Sequence, residues 1–135
     1  MRWKAAALAG LLILLLCGCE GSPLPAGMDE DALFSAGQEI LLLVVDGDYD
    51  AVRAAFREDV AGTLTAADIE ELAAKQLEGA GEYRQITDRM ATGQSSGGEH
   101  YGVAVFYCDF TKDNVLFRLA FDPDMALIGM EIQKK

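Results

Sequence analysis

Histidine and cysteine are scarce in this chain, and most metal-centred and covalent chemistry is excluded with them. One histidine, His100, and three cysteines, Cys17, Cys19 and Cys108, stand among 135 residues. A zinc site takes about three or four N, S or O ligands of mostly those two types, more than one imidazole and one spare thiol provide. Basic residues are also few: 11 Lys and Arg face 22 Asp and Glu, for a formal net charge of −11. That balance argues against nucleic acid as a partner, because phosphates must be met by an excess of Lys and Arg. Absent too is an apolar run of the roughly 20 residues that a membrane-crossing helix needs. The longest, Ala5 to Cys17, is too short, and Glu20 blocks its extension. The residues call for no cofactor.

The short apolar run has another use. Arg2 and Lys4 lead into Ala5 to Leu15, and the run closes on Leu16-Cys17-Gly18-Cys19, the layout of a bacterial lipoprotein signal peptide with small residues before a cysteine. Cleavage before Cys19 removes residues 1–18 and leaves a thiol for diacylglyceryl and an amine for a further chain such as palmitate. The alternative, a secretory signal cut at an ordinary small-residue site, leaves Cys19 as a plain thiol. The lipoprotein reading puts the protein on the extracytoplasmic face of the cell membrane. It also removes two cations and no acid, so the formal charge moves from −11 to −13. Anionic headgroups then repel the domain, and the acyl chains are its attraction to the bilayer. Cys108 is left without an intrachain disulfide partner. Between Tyr107 and Phe110, with no cation beside it, it reads as a small core residue rather than a reactive thiol.

The 117 residues from Cys19 onward suffice for one domain with its own core. Residues 19–28, with Gly21, Ser22, Pro23, Pro25 and Gly27, have the composition of a lipidated tether; residues 29–135 are expected to be a single α+β domain. Asp29, Glu30 and Asp31 open a first helix at its positive end. Leu33, Ala36, Gly37, Ile40, Leu41 and Val44 follow helical spacing, and Leu42, Leu43 and Val45 fill the rest of the circumference, so this helix is expected to be buried on nearly all sides. Gly47 ends it and Asp48 caps a second helix, with Tyr49, Val52 and Phe56 on one face. Thr65 and Asp68 form a capping box for a third, whose inner stripe is Ile69, Leu72, Ala73, Gln76 and Leu77. From Glu82 the period becomes two. Strands are predicted over Tyr83–Thr92, Tyr101–Phe110, Val115–Phe121 and Ala126–Gln133, joined by turns at Gly93–Gly98, Lys112–Asn114 and Asp122–Asp124. Three helices packed on one face of a curved four-stranded antiparallel sheet is the expected architecture.

Gly47-Asp48-Tyr49-Asp50 with Val52 and Phe56, Leu64-Thr65 opening a helix, Gly81-Glu82-Tyr83 entering the sheet, and Phe121-Asp122 through Ile128-Gly129-Met130 resemble domain of unknown function 3887, a family of bacterial extracytoplasmic lipoproteins. The resemblance covers about residues 30–133. It implies a cone-shaped fold like that of nuclear transport factor 2, with an internal pocket. Its motifs are caps, turns and core positions, so no catalytic residue is carried over.

The chemistry-bearing groups admit two readings each. Asp46-Gly47-Asp48-Tyr49-Asp50 begins like a calcium loop, but positions 6 and 12 fall on Ala51 and Arg57 instead of Gly and Glu, which leaves a helix break and cap. His100 sits at a strand entrance. Tyr107 and Asp109, with Arg118 on the next strand, are the candidate pocket residues if their face lines the cavity; otherwise Asp109 and Arg118 are a cross-strand ion pair on a solvated face. Phe106, Phe110, Phe117 and Phe121 read as core, and Tyr83, Tyr101 and Tyr107 as a docking surface if the outer sheet face presents them together; a homodimer is what the resemblance to the nuclear-transport-factor-2-like fold implies, since its members often pair through such a face. The expected function is therefore a membrane-tethered binding module for a small apolar ligand or a protein partner. The alternative is a small isomerase- or dehydratase-like enzyme using a pocket carboxylate and tyrosine.

Overall fold

The computed structural model describes residues 22–135; the signal peptide expected over residues 1–18 and the expected lipidation site Cys19 lie outside the described residues. Helices α1 (Glu30–Asp46), α2 (Tyr49–Ala55), α3 (Glu58–Ala61) and α4 (Ala66–Leu77) precede strands β1 (Tyr83–Ser96), β2 (Glu99–Phe110), β3 (Asn114–Phe121) and β4 (Leu127–Lys134). The α+β order is the expected one, but the described residues hold four helices instead of three. α3 has no sequence signature because four residues are too few to show an apolar period. It is a single turn built on the Arg57 carbonyl, which accepts the amides of Val60 and Ala61 at 2.9 and 2.8 Å.

α1 starts where the Asp29 carboxylate accepts the Ala32 amide at 3.0 Å and stops at Gly47, whose φ of 78° is left-handed. Leu33, Phe34, Gly37, Ile40, Leu41 and Val44 are its buried face. Burial on all sides does not occur: Leu42 is 37% exposed, and Leu43 and Val45 are half-buried. The reason is a single helical layer. α1 lies directly on the sheet with α2 at its flank, and nothing among the described residues roofs it. It comes close to the sheet at Gly37, where an added Cβ would meet the Phe106 ring at 2.7 Å.

α4 carries the predicted capping box: Thr65 Oγ1 accepts the Asp68 amide at 3.1 Å, and the Thr65 amide donates to the Asp68 carboxylate at 2.9 Å. Ile69 and Ala73 are buried, whereas Leu72, expected on the same inner stripe, is 37% exposed. The helix touches α2 and the edge strand β4, so its contact line is narrower than a helix on a full sheet would have.

The strands form an antiparallel meander in the order β1-β2-β3-β4. β1 runs on through Gly93 to Ser96, four residues past its predicted end. The turn is confined to Gly97 and Gly98, both at positive φ (58° and 84°), the conformation that two-residue hairpins demand. Ala104, Phe106, Cys108 and Phe110 of β2 face the helices with Phe117, Phe121, Met130 and Ile132. Tyr101, Val103 and Val105 turn to the other face with Leu116, Ala120 and Ile128, a second apolar cluster to which no described helix contributes. Register shifts at Tyr83/Gln85, Ile86/Asp88 and Ala120/Phe121 curve the sheet.

Residues 22–28, the described part of the segment expected to be a tether, are not a free linker. The Gly93 amide donates to the Ser22 carbonyl at 3.0 Å, and Leu24 and Met28 pack against the core. Gly93 pairs with Gly102 across β1 and β2. A Cβ on Gly93 would lie 1.9 Å from the Pro23 carbonyl oxygen, and one on Gly102 would lie 2.9 Å from Met28 Cε.

Candidate functional site

The sequence-predicted trio does not converge. Tyr107 and Asp109 on β2 and Arg118 on β3 share the sheet face turned away from the helices. Arg118 pairs with Glu131 on β4 at 3.2 Å, and Asp109 with Arg84 on β1 at 3.7 Å. Tyr107 carries the Lys135 ammonium 6.0 Å from its ring centroid. Burial pushes the Glu131 carboxyl above the usual carboxylate range, opposed by the charge of Arg118 and its hydrogen bond. Nor do the tyrosines form one surface. Tyr83 belongs to the helix side, edge-on to Phe110 at 5.7 Å, while Tyr101 is buried on the far face with its hydroxyl unpaired. Burial, and secondarily the charge of Glu99, raises that phenol.

Phe106, Phe110, Phe117 and Phe121 are core, as read. Cys108 is a buried free thiol pushed up to about 12 by burial, so it is protonated and unreactive near neutral pH. His100 is exposed beside the hairpin turn. In the acidic run, Gly47 ends α1 and the Asp48 carboxylate caps α2 by accepting the Ala51 amide at 3.3 Å. Among the described residues no cluster of acids, His and Cys could hold a metal ion.

The site that the structure does build is an apolar groove of about 310 Å³ where α2 and α4 meet β4, lined by Phe56, Leu64, Ile69, Leu72, Ile128 and Met130. Each wall has a local cause. Phe56 follows the last turn of α2 and bridges to Leu127, and the Arg57 amide adds a 2.8 Å bond to the Leu127 carbonyl. Leu64 is set by Arg53, whose guanidinium donates to the carbonyls of Leu64 and Ala61 at 2.8 and 3.1 Å. The capping box then turns Ile69 and Leu72 toward β4. The polar groups at the rim are already engaged, since Asp68 accepts the Thr65 amide and the Thr63 hydroxyl donates to the Val60 carbonyl at 2.7 Å. Such a groove can hold an apolar group and offers no unengaged carboxylate for proton transfer. Sequence reading missed it. Helical spacing puts Leu72 on the buried inner stripe of α4, whereas it stands 37% exposed at the groove.

Taken together, helices on one side of a curved antiparallel meander, with an apolar groove at the β4 edge, define a small α+β domain. The family model described as "Protein of unknown function (DUF3887)" matches residues 37–130, and the chain belongs to that family. A protein from Ruminococcus gnavus ATCC 29149 with an NMR structure is similar in fold: it is 25% identical, with a TM-score of 0.70, over 82% of this chain and 96% of that one. No curated protein matches the sequence.

Proposed function

We propose that this is a lipid-anchored, extracytoplasmic binding module that takes a small apolar ligand in the groove between α4 and β4. The carrying observation is the groove itself. Its volume, about 310 Å³, is at the small end of the range for ligand pockets, about 300–1,000 Å³, and it leaves Leu72 open to solvent while the neighbouring acid is tied up in a helix cap. Helices laid over a sheet bent by three register shifts support reading the fold as nuclear-transport-factor-2-like. The anchoring half of the proposal rests on Leu16-Cys17-Gly18-Cys19 after the apolar run.

The enzymatic alternative has less support. Isomerase chemistry of this kind needs an acid inside the apolar cavity, and the carboxyl that burial raises, Glu131, is paired with Arg118 on the other face of the sheet.

Two measurements test the proposal. Titration of the soluble domain with a neutral apolar fluorophore such as Nile red should show saturable binding that Leu72→Asn weakens by about tenfold or more, the order expected for losing one buried apolar contact. Binding unchanged by Leu72→Asn would overturn the groove as the site. Radioactive palmitate should label the wild-type protein in bacterial cells and not Cys19→Ala; equal label on both would overturn the anchor. Sedimentation with and without Nile red tells whether a second copy of the chain is the true occupant.

A further inference from the structure

We propose that the anchored domain meets the bilayer with one end of its sheet, the β1–β2 hairpin end, and is held in that orientation by a glycine clamp on the chain leading to the lipid. This rests on acylation of Cys19. Gly93 and Gly102, paired across β1 and β2, leave a patch of sheet without side chains, and Pro23 and Leu24 lie over it. The Gly93 amide fixes the Ser22 carbonyl at 3.0 Å, and the Met28 amide closes a turn on the Pro25 carbonyl at 3.1 Å. Leu24 and Met28 press onto Gly102, where a Cβ would come within 3.2 and 2.9 Å of them. The chain therefore leaves the domain at a fixed point.

From Ser22 back to Cys19 there are three residues, at most about 10 Å of fully extended chain. With the acyl chains of Cys19 in the hydrocarbon, the headgroup layer has to lie against the part of the fold around Gly93. That part suits the position. Residues 90–98 carry no charge, and neither do residues 21–28, in a chain of formal charge −11. Of the nearest acids, Glu20 lies in the tether itself next to Cys19, Glu99 is paired with Arg57, and Asp29, Glu30 and Asp31 begin α1 beyond the clamp. The opposite end of the sheet, at the turn holding Lys112, is the length of β2 away, roughly 30–40 Å at about 3.3 Å per residue.

The chain itself supplies a clean labelling background, because Cys17 leaves with the signal, Cys19 is acylated, and Cys108 is a buried, protonated thiol. Full-length Ser95→Cys and Lys112→Cys would be produced in bacteria, acylated, labelled with a fluorophore and placed in phosphatidylcholine vesicles carrying a nitroxide on the headgroup. The expected result is at least about threefold stronger quenching at 95 than at 112, given a separation many times the contact range of the quencher. Gly93→Val should abolish that contrast while palmitate label persists. A flexible ten-residue Gly/Ser insertion between Glu20 and Gly21 should do the same without touching the fold. Equal quenching at the two positions in acylated wild-type protein overturns the orientation and leaves the anchor standing. Contrast that survives the insertion overturns the role of the short clamped tether. Absence of palmitate label overturns the anchor and the orientation together.

Discussion

The buried carboxylate of Asp122 accepts a hydrogen bond from the Arg57 guanidinium at 3.3 Å, joining the α2–α3 junction to the turn between β3 and β4. Asp122 also accepts the amides of Asp124 and Ala126 at 3.0 and 2.9 Å, which holds Met125 at its left-handed φ of 68°. Arg57 in turn bonds Asp59 at 2.8 Å and also Glu99 on the hairpin. Asp122→Ala should therefore destabilise by about 2–3 kcal/mol, since it orphans two turn amides and removes a buried partner of an arginine. Arg57→Ala combined with it should cost less than the sum of the two. Urea titrations of the singles and the double measure this coupling.

The α4 contact line gives a graded series. Ile69→Ala, at a site 3% exposed, should cost about 2–5 kcal/mol through lost burial and a cavity. Thr65→Ala should cost about 0.5–2 kcal/mol by leaving the Asp68 amide uncapped. Leu72→Ala should fall below both, since its side chain already meets water. Denaturant midpoints rank the three, and a Leu72→Ala cost equal to that of Ile69→Ala would mean that α4 is rotated from the position described.

Local order was legible where one residue type does one job. The capping box, the helix break at Gly47, the phenylalanine core and the four-strand meander follow from caps, periods and turn residues. What was not legible depends on who sits opposite. Leu72 and Leu42 have the same apolarity as Ile69 and Leu41, and they are exposed because no further layer covers them among the described residues. Gly93 reads as a turn residue because glycine usually serves φ, whereas here it serves space for Pro23. Asp109 and Arg118 stand on adjacent strands, yet each has a better placed partner, Arg84 and Glu131, that alternation alone could not choose.

Stability should fall at alkaline pH through Cys108. Its thiol ionises near 9 when unexposed to the fold's burial and only near 12 within it, so the folded state holds its proton more tightly. That contribution is fully present below about pH 9 and is lost at up to roughly 1.4 kcal/mol per pH unit as pH rises toward 12. Urea midpoints at pH 8, 9.5 and 11 should decline less steeply for Cys108→Ala than for wild type. Asp59 works in the opposite sense: Arg57 holds its carboxyl below the usual range, so its small, largely exposed contribution exists above its unfolded pKa and is lost as acid protonates it.

A domain begun at Asp29 should be weaker than one begun at Ser22. Leu24 and Met28 are partly buried against the core, and their loss together with the Ser22–Gly93 bond should cost about 1–3 kcal/mol. Thermal melts of residues 22–135 and 29–135 compare them directly; identical midpoints would show that the segment adds nothing to the fold.

The seating of Ser22 on Gly93 also sets where force enters the molecule. Any drag on a surface-attached copy is transmitted through residue 22 into the outer edge of β1, at the hydrogen bond to Gly93 and the close-packed Pro23 carbonyl, instead of into the end of α1. Because Leu24 and Met28 lie between that point and the helix, they would have to be stripped from the core before α1 felt any load. Yielding under tension should thus begin with this peptide peeling from the strand, leaving the four-stranded meander whole.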